Sequence, residues 1–536
     1  MDRPSAAATA AVRQEVIRNR LGCCGVVLAC GLALGGSNCS IRTQQPALVA
    51  PTAAPAPSKE SPYLKAHLHS GEVYVLDSWH LSTDSSHLEG TGSRFTVRRE
   101  PAGTGPQSIA VEAIALIETN APDHVVSIGA GVLGTLTVVM GTITGVCLAD
   151  PKSCFGSCPT FYVDQESQGR PEAEGFSESI ARVLEARDVD ALYTARPTGR
   201  QFALTMRNEA QETHAVRRVR LLAADRPPDG RVIAGVDERF YPATGLSRPD
   251  RCRAAEGDCL AAVAAHDGVE RQSPADADDL ATREDVELVF PPMSGRVGLV
   301  VAARQTLLST FLFYQTMAYL GRSGGDFLAL LERGGTEHAE KAMGMARALG
   351  GIDAAVDDGR GSWAPIGSFD EAGPIAGDVR LLPFDTDRQA PIRVRLRMAK
   401  GHWRLGWVAL ARVGEPVTPT VVEATAVLRE GRPVPTALAQ LRGLGGRLAT
   451  LPGDAYRISF ELPRPGPELE LFLETEGYYY EWLRTEWLHE ENPWLAALAL
   501  GSAEQALRVL ARPFKEREAT LEAAFWASRF RKGGAQ

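Results

Sequence analysis

The sequence predicts a multi-domain, mainly β protein with helical additions. Three observations carry this expectation. Short runs that alternate apolar and polar residues recur from residue 63 to about residue 475, separated by Gly, Pro and Asp clusters. Segments with helical spacing are confined to an insert over 304–350 and to the region after residue 476. A chain of 536 residues also exceeds what one hydrophobic core organises. The expected architecture is a small β-unit, a disulfide-containing β-domain, and a β-sandwich with inserted and C-terminal helices.

Residues 1–39 read as an export segment. Arg3, Arg13, Arg18 and Arg20 form a basic region, and 21–41 then hold no charge. The apolar part, 21–36, is short for a spanning helix. Cys30 follows Val27, Leu28 and Ala29, which resembles a bacterial lipobox. Cys39 follows a poorer match but lies at a better distance from the basic region. Either cysteine is the candidate lipid-attachment residue, with an ordinary cleaved signal or an uncleaved anchor as alternatives. Residues 40–62 contain Pro46, Pro51, Pro55, Pro57 and Pro62, a composition that makes an extended spacer.

Residues 63–120 read as the small β-unit. Leu64, Ala66 and Leu68 alternate with Lys65, His67 and His69. Further β-like runs are 73–76 and 109–117. Two histidines on one strand face could ligate a metal, but no third ligand is evident, so solvent-facing histidines are the simpler reading. Neither metal nor cofactor is expected.

Residues 121–150 form a Gly-rich apolar segment. The stretch 125–149 has no charged residue and is long enough to span a bilayer. Its glycines would allow close packing. A span here would return the rest of an exported chain to the cytoplasm, where disulfides do not persist. The sequence therefore favours a buried or membrane-associated hairpin over a span.

Residues 151–284 are expected to be a Cys-containing β-rich domain. Five of the nine cysteines lie beyond the export segment: Cys147, and the close pairs Cys154/Cys158 and Cys252/Cys259. Two disulfides are expected. A four-thiolate zinc site and inert thiols are the alternatives, and zinc prefers shorter spacings. Strands are expected at 160–163, around Phe202, Leu204 and Met206, and around Val216, Val219 and Leu221. A turn follows at 225–230, and 276–279 reads as a loop.

Residues 285–475 read as the sandwich, with strands at 286–290, 297–302, 379–383, 392–398, 403–411, 456–462 and 469–474. Within its insert, 306–320 is apolar almost all round and should be a buried helix. Two more helices are expected at 326–333 and 337–349. Residues 476–536 read as helical, with Pro513 breaking or kinking the helix over 496–531.

Cys154, Phe155, Gly156, Cys158, Pro159 and Phe161 fit a Cys-(Phe/Tyr)-Gly-x-Cys-Pro-x-(Tyr/Phe) signature. In this short motif the chain resembles a group of secreted bacterial domains and envelope lipoproteins. The resemblance implies secretion and carries no activity. Thioredoxin-like copper-delivery proteins share a C-x3-C-P spacing, but there a strand precedes the motif and a helix follows it. Here a turn precedes it and a strand is expected after it.

Gly321, Ser323 and Gly325 match a nucleophile-elbow pattern, which needs a strand before the serine. A helix is expected there instead, so a helix-terminating glycine explains the same letters. Trp363, Trp403, Trp407, Tyr478, Tyr480 and Trp482 are candidate binding aromatics. Exposed, they would stack on sugar rings or anchor a protein. The weightier reading is that they fill the core.

The net charge is −9, and the export segment is basic, so the remainder is more acidic still. This argues against nucleic acid as a partner. Together these features predict a membrane-tethered envelope lipoprotein with a binding or structural role and no identifiable catalytic residue. Its expected partners are the membrane, through a lipid anchor, and an envelope protein or polysaccharide. A glycan hydrolase using a carboxylate pair and a membrane-inserting oligomer built on 125–149 are the alternatives.

Overall fold

The computed structural model describes residues 40–41, 44–49, 64–68, 72–96, 101–122, 126–127, 158–163, 171–210, 212–324, 327–328, 343–370, 373–387, 389–481 and 490–528. The chain forms two compact units: Met1–Gln44 with Pro122–Met140, and Gln45–Ala121 with Gly141–Gln536. In the first, Ser40–Ile41 pairs antiparallel with Val126–Ser127. The rest of 125–149 lies outside the described residues, as do Cys30, Cys39, Cys147, Cys154, His69 and Trp482. Among the described residues no helix is long and apolar enough to cross a membrane.

The fold is mainly β, with several sheets. The small N-terminal β-unit is a six-stranded sheet built from strands between Gln44 and Pro122. Leu64, Ala66 and Leu68 are buried and alternate with half-buried Lys65 and His67, as a one-sided strand requires. The expected 109–117 run is interrupted by a 3-10 turn, Val111–Ala113.

The larger part holds three sheets, and each draws strands from both sides of position 284/285, where the sequence suggested a boundary. A ten-stranded sheet pairs Glu212–Asp225 with Leu469–Glu481 and carries Thr160–Val163, Gln201–Arg207 and Ala455–Glu461. A six-stranded sheet is centred on Gly295–Gln305 between Asp378–Thr386 and Trp403–Val413. A second six-stranded sheet contains Arg283–Phe290, Ile392–Ala399, Ile352–Asp357 and Trp363–Phe369.

The two six-stranded sheets share a core. Val286, Leu288 and Phe290 alternate inward with Ile392, Val394, Leu396 and Met398 against Val297, Leu299 and Val301. The Gly295 sheet is also covered on its other face, where Val300 and Ala302 meet Tyr241 and Phe472. Burial on both faces explains its nearly continuous apolar run.

Helices pack on the ten-stranded sheet in one core. Leu308–Leu320 is buried on several sides, through Leu308, Phe311, Leu312 and Met317. It ends at Gly321, whose φ of 51° makes the cap that a side chain would strain. The expected C-terminal helix is two helices, Pro493–Gly501 and Ala503–Ser528. The interruption falls at extended Ser502, and Pro513 lies inside the second helix. Leu510 and Phe514 are buried in the same core on either side of the proline, so packing carries the helix through.

Cys252 and Cys259 form a disulfide, with Cα atoms 5.1 Å apart. The bridge closes the hairpin of Arg251–Ala254 with Gly257–Asp258 and is buried in the sandwich core. Replacing both cysteines with serine is expected to cost about 2 kcal/mol, since the closed loop is short. Urea unfolding with and without reductant measures this. The native protein should lose stability on reduction, and the double variant should not respond.

Candidate functional site

The polar groups of the site come from elements far apart in sequence. Along the pair Glu212–Asp225 and Leu469–Glu481, Glu212 lies opposite Glu481 and His214 opposite Tyr479. Both glutamates are buried at this end of the ladder. His214 Nε2 lies 2.7 Å from Glu212 Oε1. Tyr314, from the buried helix, donates to Glu481 Oε1 at 3.0 Å. Cys158 sits buried at the entry to the Thr160–Val163 strand.

Glu174 closes the back of this cluster. Its Oε2 accepts from the amides of Ile375 (2.7 Å) and Ala376 (3.2 Å). A Cβ on Gly373 would overlap Glu174 Oε1, so the loop approaches this closely only because residue 373 is glycine.

Two cavities open between these elements. The inner one, of about 100 Å³, is reached by Cys158, Glu212, Tyr314, Tyr479 and Glu481. The outer one, of about 420 Å³, is reached by Asp188, Arg347, Asp370 and His402. They share Ser177, Glu178, Gln305, Met343 and Ala346, so they adjoin, and together they make up the cleft. Among the described residues no tryptophan lines it.

The potential inside the cleft is negative. Burial pushes the Cys158 thiol well up, and Glu174, Glu212 and Glu481 push it further. Tyr479 moves the same way, through burial and then Cys158, Glu212 and Glu481. A reactive cysteine needs the opposite environment, so Cys158 is a neutral thiol and not a nucleophile at neutral pH. Burial holds His402 down to about 3, with Arg283 adding to the effect, so its ring is neutral. Its Nδ1 has no hydrogen-bond partner.

Burial raises Glu174 to about 8, against the two amides that favour its ionised form. The folded value thus lies above the unfolded one of 4.5. Glu174 therefore contributes stability below about pH 4.5 that is lost as pH rises through about 8. The stability of the native protein minus that of Glu174→Gln should fall between those limits, as read by urea unfolding. A difference that stays flat with pH would refute the assignment.

The structure brings few of the expected site residues together. Cys158 carries a free thiol, so the expected Cys154–Cys158 bridge is not made. Its side chain turns into the core with Phe161 and Ile180. Four candidate binding aromatics are core residues: Trp403, Trp407, Tyr478 and Tyr480 are each less than 10% exposed. Residues four apart, such as Trp403 and Trp407, share one face of a regular strand. An extra residue, Gly406, bulges the strand and sends them into two different cores. Tyr478 and Tyr480 pack edge to face on each other, 5.1 Å apart, against Ala215.

Trp363 is half-buried on an outer strand, beneath Arg393 and Arg395 at 5.3 and 4.8 Å. Ser323 follows a helix and not a strand, so no elbow forms. Among the described residues no group of His, Cys, Asp and Glu is arranged to hold a metal.

Sequence reasoning missed Glu174, Asp188, Glu212, Glu481 and His402. One signal was available: Glu212 and His214 stand two apart at the head of a long apolar strand pattern. Polar residues on the strand face that also carries the core are expected to meet partners.

No family model matches the chain, and no curated protein matches it. Among solved structures it is similar to the secreted serine protease VesC from Vibrio cholerae, with 8% identity and a TM-score of 0.13 over 60% of this chain and 62% of that one. It is also similar to a GH31 alpha-xylosidase from Xanthomonas citri, with 8% identity and a TM-score of 0.14 over 81% of this chain and 38% of that one. At these scores neither likeness bears on fold or function.

Proposed function

We propose that the chain is an exported, membrane-tethered lipoprotein of the bacterial cell envelope with a binding role and no catalysis of its own. The binding role is carried by one observation, the two adjoining cavities, the smaller of them lined by buried polar groups. Export and tethering are supported by the basic and apolar N-terminal segment with Cys30 and Cys39, the proline-rich stretch 51–62 and the secreted-domain signature. The Cys252–Cys259 disulfide suits an oxidising compartment. The neutral Cys158 thiol argues against cysteine chemistry in the cleft.

Fractionation of the native host tests the tether. The protein should sediment with membranes, and either Cys30→Ser or Cys39→Ser should release it. Recovery of the unaltered protein in the soluble cytoplasm would overturn the reading.

A further inference from the structure

We infer that the cleft binds the end of an alkyl chain carrying an ammonium or guanidinium group, with the cationic head in the inner cavity. This rests on the binding role proposed above. The inner cavity combines two kinds of wall. Ile180, Leu312, Phe313, Met345 and Ile375 supply an apolar sleeve. The same cavity is lined by the carboxylates of Glu212 and Glu481, with His214 Nε2 2.7 Å from Glu212 and the Tyr314 hydroxyl on Glu481. A methylene stem fits the sleeve, and a compact cation with several N–H donors fits the acceptors.

The charge balance selects the sign. Among the described residues, Glu178, Asp188, Glu212, Asp370 and Glu481 line the cleft against one guanidinium, Arg347, with the His214 ring beside Glu212. Arg347 is exposed at the mouth, whereas Glu212 and Glu481 are buried. Apolar walls keep water away from the buried carboxylates, so their attraction for a cation is screened less than at the open surface.

A second observation points to the same chemistry. His402 is 1% exposed and lines the outer chamber, and its Nδ1 meets no hydrogen-bond partner. In the tautomer with its proton on Nε2, Nδ1 is an acceptor that a ligand with N–H donors satisfies. Cys158 and Tyr479, both held neutral by burial and then by neighbouring carboxylates, add no competing anion.

The test is calorimetric titration of the full-length protein in detergent with four probes. These are cadaverine, agmatine, the neutral isostere pentane-1,5-diol and the dianion glutarate. Cadaverine or agmatine should bind saturably at one site, and the diol and glutarate should not. Glu481→Gln should weaken cadaverine about tenfold or more, the loss expected for a charged hydrogen bond. Glu178→Lys, at the exposed mouth, should weaken it in the same direction without threatening the fold. Melting curves establish that each variant is folded.

Absence of saturable binding of both cations to the folded protein would overturn the inference. Binding of cadaverine unchanged in folded Glu178→Lys would do the same. Equal binding of the diol would leave a ligand site but refute its cationic class. None of these outcomes alters the fractionation result, and a cytoplasmic location would refute the tether while leaving the cleft chemistry standing.

Discussion

Arg304→Ala is expected to destabilise the protein by about 2–3 kcal/mol, because it removes a buried guanidinium and deprives the half-buried carboxylates of Glu270 and Glu522 and the Pro374 carbonyl of a charged donor. Arg304 is 5% exposed. It donates to both oxygens of Glu270 at 2.7 Å, to Glu522 Oε1 at 2.8 Å and to the Pro374 carbonyl at 2.9 Å. These contacts tie the central strand to the C-terminal helix and to the loop beside the cleft. Arg404 also reaches Glu522 and, at 3.6 Å, Glu270, so both carboxylates keep one partner and the loss stays short of complete. Chemical denaturation measures the effect. A loss below about 1 kcal/mol would mean that the group behaves like an exposed ion pair. Arg304→Lys should recover little, since an ammonium cannot repeat the fork that holds Glu270.

Trp403→Ala is expected to cost about 3–5 kcal/mol through cavity formation in the sandwich core. Trp403 is 2% exposed, and its Nε1 donates to the Gly350 carbonyl at 3.3 Å. Gly350 ends the helix Gly344–Leu349 with φ 63° and lines the outer chamber. The substitution should therefore also loosen one wall of the cleft. Trp363→Ala is the control, because its ring is half-buried under two arginines and should cost about 1 kcal/mol or less. Thermal unfolding of the two variants side by side decides the point. Equal losses would mean that Trp403 does not fill the core.

Much of the strand inventory was legible because burial on one face writes a period of two into the chain. Val286, Leu288 and Phe290 show it, as do Phe202, Leu204 and Met206. The buried helix was legible for the same reason, since Leu308–Leu320 carries no charge on any face. The strand Leu469–Glu481 was not read to its end. Tyr478, Tyr479 and Tyr480 are all buried, on two faces, and such a run has no period to read.

The site itself was not legible. Glu174, Glu212 and Glu481 come together around Cys158 only because strands from both ends of the larger part share one sheet and one helix covers their junction, while His402 reaches the outer chamber from a different sheet. The aromatic clusters misled for a related reason. Tryptophan and tyrosine look the same in sequence whether they face solvent or a second layer, and the covering layer comes from elsewhere in the chain.

By itself, then, the sequence determined the class of fold, most of its strands, the buried helix and the closeness of Cys252 to Cys259. These follow from local alternation and from spacings short enough for the chain to close directly. Tertiary structure alone decided which strands became neighbours, that Cys158 turned inward as a thiol, that one bulge sent two tryptophans to opposite faces, and that five carboxylates came to line one cleft. Those outcomes depend on contacts between distant segments, whose register is set by packing across the whole sheet and is written in no single stretch of residues.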